Sequence, residues 1–323
     1  MISDRRSNKT KGMEACLMNE AQTFPTSRPV SWAPDFIGIG AEKAATTWLW
    51  ANLNVHPEVE MSQPKELNFF NVSFDKGNDW YQQHFRQSVN CLQGEISPWY
   101  MDDVQCAARM AAVCPNAQLL VMLRDPFERA FSHLLHDSQN AFGGIADLTA
   151  EQLQSLTSKS DDYVRRSCYS KCLAPFLKHF RRSQINVQFY DDVKSQPLKT
   201  IQNVYRFLNV DADFVPENCD RAVNKSQNYR SVVLHKMASS VSQTAQAFPV
   251  TRDIIDWIHR RTTWRERAIE MLMVDSGRPS LSAVNVFSEQ QLRAMTEDTR
   301  RLGDLLGVVV PDHWAQQTAA IAA

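Results

Sequence analysis

Twice in this chain a short unbroken apolar run stops at the start signals of a helix, and this repeated unit restricts the fold more than any other feature. In the first copy, PDFIGIG at residues 34–40 has a proline start, an apolar run and a glycine stop. TTWLWANLNVHPEV follows from Thr46 and reads as a helix ended near His56-Pro57, because the residue before a proline is driven out of the helical region. In the second copy, LLVML at residues 119–123 runs into Arg124-Asp125-Pro126-Phe127-Glu128. Asp125 suits the N-cap, Pro126 the first helical position and Glu128 the carboxylate of a capping box, with the helix continuing through RAFSHLLH. INVQFY from Ile185 predicts a further strand, and PLKTIQNVYRFLNV from Pro197 an amphipathic helix behind it. Apolar runs without polar alternation are buried on both faces, as in parallel sheets. Strands alternating with helices then predict an α/β fold, a single domain with a central parallel sheet flanked by helices. Capping-box-like starts at Thr149-Ala150-Glu151-Gln152 and Ser288-Glu289-Gln290-Gln291 predict more helices, and residues 231–323 are mainly helical in pattern. Residues 1–33 are expected to be a flexible N-terminal arm, 34–315 the domain and 316–323 a C-terminal tail.

The charge balance removes one class of ligand. Lys plus Arg number 35 and Asp plus Glu 36, a formal net charge of −1, whereas a protein held on nucleic acid by a general positive field needs a basic excess. A local cluster of cations for a small anion still fits inside a neutral total. No apolar run approaches the ~20 residues of a membrane helix. MISDRRSNKTKG is followed by no apolar stretch of a secretory signal, so a cytoplasmic chain without a membrane span is expected. The seven cysteines form no CxxC pair. Cys168 and Cys172 are read as buried thiols because no second ligand pair has metal spacing, and no metal is expected.

Only 10 of 323 residues are glycine, so Gly38 and Gly40, two positions apart, need a reason. GIGAEKAATTWL is a P-loop-like strand–turn–helix, although the Gly-Lys-Ser/Thr order of nucleotide triphosphatases is missing. Small residues at the strand end let phosphate oxygens reach the backbone, and a helix start presents unpaired N–H groups and the positive end of the dipole. The candidate cradle is Gly40, Ala41, Lys43, Ala44, Ala45, Thr46, Thr47 and Trp48, with Gly38 in the strand behind it. A tight turn with one solvated lysine is the competing reading. Arg124 presents a second cation at a strand end, where ligands of open parallel sheets bind, and Ser132 lies about two helical turns further on. Arg124 suits equally well an ion pair with Asp125 or Glu128. His56 is expected to cap or pack at its helix end. His133 and His136 either line an acceptor cleft or are half-buried, and Trp80, Tyr81, Trp99 and Tyr100 are either a stacking platform or core.

GIGAEKAATTWL at Gly38, PKELNFF at Pro64, GEISPWYM at Gly94 and LRDPFERAFS at Leu123 together resemble the sulfotransferases that use 3′-phosphoadenosine 5′-phosphosulfate (PAPS). Their order is that of the branch containing the heparan sulfate N- and 3-O-sulfotransferase domains and their bacterial relatives. KGNDWYQQHF, YSKCLAPFLKHF, INVQFYDDV and the ending FSEQQLRAMTEDTRRLGDLLGVVVPDHW fit the same branch, so the resemblance spans roughly residues 34–315.

The resemblance implies that Lys43, Thr46 and Thr47, with the turn's backbone, hold the 5′-phosphosulfate, and that Arg124 and Ser132 hold the 3′-phosphate. It puts the catalytic base at Glu66, just before the paired phenylalanines, since GEISPWYM has no histidine where another branch places its base. Lys43 would stabilise charge on the leaving oxygen without a metal, and Lys65 is a reserve cation for the sulfuryl oxygens. Without the resemblance, Glu66 reads as a surface carboxylate paired with Lys65. Lys225 and Arg230 lie in the late segment where relatives have a basic, glycine-containing loop, and no glycine stands there in this chain. Ala45 also departs from the family, which often has glycine, as does Ser167, beside which Tyr169 would neighbour the adenine. The implied acceptor is a carbohydrate or small molecule and the implied product adenosine 3′,5′-bisphosphate. The rivals are a kinase-like phosphoryl transferase, which needs Mg²⁺ and an acidic ligand such as Asp125, and a non-catalytic nucleotide-binding protein.

Overall fold

Strands β1 (Phe36–Gly40), β2 (Val59–Met61), β3 (Leu92–Ile96), β4 (Gln118–Leu123) and β5 (Ile185–Phe189) form one sheet in the order β2-β3-β1-β4-β5, every neighbouring pair parallel. The computed structural model describes residues 32–86, 90–142, 160–217, 219–220, 228–229, 273–274 and 286–316. The helices are α1 (Thr46–Asn54), α2 (Gly77–Gln82), α3 (Val104–Val113), α4 (Pro126–Phe142), α5 (Ser160–Arg165), α6 (Tyr169–His179), α7 (Tyr190–Ser195), α8 (Pro197–Leu208), α9 (Glu289–Leu306) and α10 (Asp312–Gln316). This is the α/β architecture the sequence predicts. The Thr149 helix start, most of residues 231–285, the N-terminal arm to residue 31 and the tail from 317 lie outside the described residues. No helix among the described residues is long and apolar enough to cross a membrane.

β1 and β4 are the apolar runs, and β1 is buried along its whole length. The sequence pattern missed β2 and β3. β2 is three residues long, and β3 reads LQGEI, with polar groups inside the sheet. The register explains two of the scarce glycines. Phe36 lies opposite Gly94 and Gly38 opposite Ile96, so each strand offers a glycine to the other's large side chain. A Cβ on Gly94 would stand 2.3 Å from the Phe36 ring, and one on Gly38 would stand 2.6 Å from Ile96. Gly38 is therefore a packing residue rather than a phosphate approach.

The local signals at Asp125, Ser288 and His56 are met. Asp125 Oδ1 caps α4 by accepting from the N–H groups of Phe127 (2.9 Å) and Glu128 (3.0 Å). The Glu128 carboxylate accepts from the Arg124 guanidinium at 2.8 Å, one of the two ion pairs the sequence offered for Arg124. At α9 the box is complete: Ser288 Oγ accepts from Gln291 N (3.3 Å), and Gln291 Oε1 accepts from Ser288 N (2.9 Å). His56 packs at the end of α1 against Tyr205 and Phe214, its ring linking Glu58 N–H to the Asp211 carbonyl. Cys168 is buried and Cys172 half-buried, and burial pushes their thiols up to about 11 and about 12. α10 is anchored by Trp314, wholly buried against Phe189, with its indole N–H on Asp191 Oδ2 at 3.0 Å.

Gly94→Ala is expected to cost about 1–3 kcal/mol, because the buried Phe36 ring has nowhere to retreat. Urea unfolding with an unchanged midpoint would show that the β1–β3 packing is looser than described.

Candidate active site

In an open parallel sheet, ligands bind beyond the carboxyl ends of the strands where the strand order reverses. Here the chain leaves β1 for β3 and β2 on one side and later builds β4 and β5 on the other, so the reversal lies between β1 and β4. Lys43 follows β1 and Arg124 follows β4. The two cations are brought together, with Arg124 Nη1 3.5 Å from the Lys43 carbonyl.

The turn after β1 is set by its backbone. Ala41 N–H donates to Met122 O at 2.7 Å, extending the β1–β4 pairing past the last strand residue. Lys43 and Ala45 adopt left-handed backbone, φ 67° and 69°. Ala45 is the N-cap of α1 and gives it no side-chain hydrogen bond. The first amides of a helix lack intrahelical acceptors, and those of Thr46, Thr47 and Trp48 stand at this uncapped start, the arrangement that suits an anion. The side chains of Ala41, Ala44 and Thr46 are buried, which leaves the main chain as their contribution. Trp48 also contributes only main chain. Its side chain is in the core, with the indole N–H on Cys219 O at 2.7 Å. Gly40 has φ 148°, and a Cβ there would stand 2.8 Å from Pro98 O, so this glycine admits the neighbouring chain.

Lys43 is a largely buried cation. Burial pulls its pKa down, while Glu42, Asp137 and Glu66 hold it up. Glu66 is thus within electrostatic reach of Lys43. It sits in the loop after β2 in left-handed backbone, φ 63°, with its side chain 45% exposed and in contact with Lys65. The pairing that sequence alone suggested for Glu66 is present, at the mouth of the site.

Arg124 is held by Glu128, stacks over the Tyr190 ring at 4.9 Å, and has its carbonyl fixed by Tyr169 OH at 2.8 Å. Ser132 is half-buried on α4. His133 is a correction to the cleft reading: it is 6% exposed and packs on Tyr163. Arg129 Nη1 lies 3.3 Å from its Nδ1, which must accept, so Nε2 carries the proton and faces Glu42 Oε2 at 3.4 Å. Burial, then the charges of Arg129 and Arg166, push His133 down to about 2, so it stays neutral. His136 is exposed on the same helix and is lowered by burial and by the Lys43 charge. The aromatic quartet divides. Tyr81 and Tyr100 are buried, Trp80 is half-buried against Phe69 and His84 with Lys76 over its ring, and Trp99 is 45% exposed beside Arg166. Lys225 and Arg230 lie outside the described residues.

Sequence reasoning missed a charge cluster behind the turn. Glu42 lies 3.7 Å from Lys43 Nζ and 3.6 Å from Arg166, which pairs with Asp102 at 3.3 Å. It also missed Glu95, a carboxylate inside β3 that is wholly buried. The one available signal was a charged residue between Gly94 and Ile96, in a short segment that also carries Gln93.

A parallel sheet with a cationic strand-end turn at its reversal point, an uncapped helix start and a carboxylate facing them defines an α/β group-transfer domain for anionic donors. The Sulfotransferase domain family model matches residues 33–244, and the chain belongs to that family of enzymes. It is 38% identical over 113 residues to the membrane-associated sulfotransferase kil1 of Dictyostelium discoideum, covering 34% of this chain and 24% of that protein. It is 29% identical over 196 residues to the bifunctional heparan sulfate N-deacetylase/N-sulfotransferase 2 of Bos taurus, covering 55% of this chain and 22% of that protein. The chain therefore spans less than a quarter of the length of these relatives. A sulfotransferase from Alicyclobacillus acidocaldarius has the same fold, with a TM-score of 0.57 at 20% identity over 88% of this chain and 99% of that one.

Asp125, at the end of β4, gives a stability prediction. Burial raises its pKa from the usual 3.8 to about 6. The folded protein therefore binds this proton more tightly than the unfolded chain. The resulting stabilisation is complete below about pH 4 and lost as pH rises through about 6. Asp125→Asn keeps a good N-cap and removes the titration. It should flatten the pH dependence of the unfolding free energy across that window by about 3 kcal/mol. Equal slopes for variant and wild type in urea unfolding from pH 4 to 7 would contradict this.

Proposed function

We propose that this enzyme transfers the sulfuryl group of PAPS to a hydroxyl or amine of a carbohydrate or small-molecule acceptor, releasing adenosine 3′,5′-bisphosphate, with Glu66 as the base. The observation that carries the reading is the meeting of Lys43, Arg124 and the uncapped start of α1 at the sheet's reversal point, with Glu66 close enough for its charge to act on Lys43. The residues present fit the donor. Lys43 and the first amides of α1 suit a phosphosulfate, and Arg124 on its own strand end, with Ser132 along α4, suits a second phosphate. The donor supplies an activated sulfuryl group whose bond to the phosphate oxygen breaks as the bond to the acceptor forms.

The chain's own groups do the rest. Lys43 places a positive charge where negative charge builds on the departing oxygen, in a site dry enough to strengthen that interaction. Its carboxylate neighbours keep it protonated against the cost of burial. Glu66 takes the acceptor's proton and stands where solvent reaches it, as an incoming acceptor requires. Lys65, in contact with Glu66, brings a second positive charge to the sulfuryl oxygens. His136, exposed within electrostatic reach of Lys43, and Trp99, exposed with Arg166 over its ring, are the side chains offered to the acceptor.

Incubation with labelled PAPS and a panel holding a phenol, an aliphatic alcohol, a primary amine and a glucosamine oligosaccharide should yield a sulfated product. Lys43→Ala should lower kcat by about 10²–10³, and Glu66→Gln by about 10²–10⁴. In calorimetry, Arg124→Ala should weaken adenosine 3′,5′-bisphosphate binding by about 10- to 100-fold, with Glu66→Gln binding normally. Wild-type turnover in both the Lys43 and Glu66 variants would refute the mechanism.

A further inference from the structure

Glu95 is a carboxylate in mid-strand, 0% exposed, and the proposed reaction makes no direct use of it. A buried carboxylate needs either a cation or several hydrogen-bond donors. This one is served by hydroxyls. Oε1 accepts from Tyr81 OH at 2.8 Å and Tyr100 OH at 2.7 Å, and Oε2 accepts from Ser97 Oγ at 2.8 Å. The Leu67 main-chain N–H donates to it as well. The hydroxyls are themselves acceptors, Tyr100 OH from Phe69 N–H at 2.7 Å and Ser97 Oγ from Asn68 N–H at 3.0 Å.

The three consecutive amides of Leu67, Asn68 and Phe69 are thus gathered onto one carboxylate, directly or through one hydroxyl. They follow Glu66 without a gap. Glu66 and Asn68 both have left-handed backbone, φ 63° and 50°; asparagine tolerates it, whereas glutamate keeps it only when the surroundings impose it. We infer that Glu95 is a positioning residue for Glu66, fixing through this network the backbone that aims the base at Lys43; the inference rests on the reading of Glu66 as the base. Burial raises the Glu95 pKa, and the Tyr100, Tyr81 and Ser97 hydroxyls with the Leu67 amide oppose that shift. In its ionised form the carboxylate only accepts, so it orients each hydroxyl to donate inward and leaves its lone pair for the amide. A glutamine amide in its place sets a donor against a donor.

The test measures hydrogen exchange of residues 67–69 in the whole protein by mass spectrometry. It is combined with transfer from labelled PAPS to whichever panel acceptor the wild type sulfates fastest. Glu95→Gln should accelerate exchange at these amides and lower kcat by about 10- to 100-fold, the scale expected for a base displaced by about 1 Å. Adenosine 3′,5′-bisphosphate affinity should stay unchanged. Tyr100→Phe, which keeps the ring packing, should move both readouts the same way by less, and decides the matter if Glu95→Gln does not fold. In the Glu66→Gln background, Glu95→Gln should add less than about 3-fold, because the two act as one unit. Unchanged exchange, accelerated exchange with wild-type kcat, or a full additional loss on top of Glu66→Gln overturns the inference alone. Wild-type turnover in Glu66→Gln overturns the base assignment and the inference with it.

Discussion

The parallel pairing of β1 with β4 is the constraint on which the rest of the site depends. It shifts register between Gly38 and Gly40 and then continues beyond the strand through Ala41 N–H and Met122 O. The turn is therefore still tied to β4 when it bends away, which brings the main chain of Lys43 to the Arg124 side chain. Two cations at neighbouring strand ends repel, more strongly where water is excluded. The structure offsets this by giving each a carboxylate, Glu42 beside Lys43 and Glu128 on Arg124. The near-zero net charge of the chain is reproduced at the scale of the site. A strongly anionic ligand here would meet cations whose own partners lie behind or beside them.

How much of this was legible in the sequence follows from what burial does to composition. β1 and β4 were legible because their apolar runs stop at turn or helix signals, and β5 because INVQF alternates apolar and polar residues. β2 and β3 were not. β2 is too short to show a period, and β3 carries Gln93, Gly94 and Glu95 inside a sheet, where each needs a partner that only the fold supplies. The legibility of the site tracked the legibility of its strands. Lys43 and Arg124 stand at the ends of strands that could be read. Glu66 follows an unread strand and emerged only from the family resemblance. Glu95, inside another, did not emerge.

Two alternatives that the sequence left open are decided by a common cause. Helical spacing places His133 two turns into α4 but does not say that Glu42 turns inward to meet it and Arg129 crowds its other nitrogen. The sequence let Arg124 pair with Asp125 or Glu128 alike, and the guanidinium settles on Glu128 one turn along α4 while Asp125 caps the helix. In both cases a charged neighbour distant in sequence or on the next turn decided what local pattern left open.

The left-handed residues show where the fold tolerates cost. Among the described residues, those with positive φ other than glycine are Lys43, Ala45, Glu66, Asn68 and Asn209. Asn209 ends α8, where asparagine suits a left-handed cap. The other four lie in the two loops of the proposed reaction; Asn68 tolerates this conformation as Asn209 does, while Lys43, Ala45 and Glu66 each cost of the order of 1–3 kcal/mol. Glycine would relieve that cost at Ala45. It would also widen the conformations open to the start of α1, whose free amides must stay aimed at one point. Alanine is the smallest side chain that restricts the backbone, so holding it in this conformation exchanges stability for a fixed set of donors. The same exchange is made at Glu66, with three anchored amides immediately behind the strained residue. In both loops the strained residue is fixed from behind, so that the group in front is already in place when a substrate arrives.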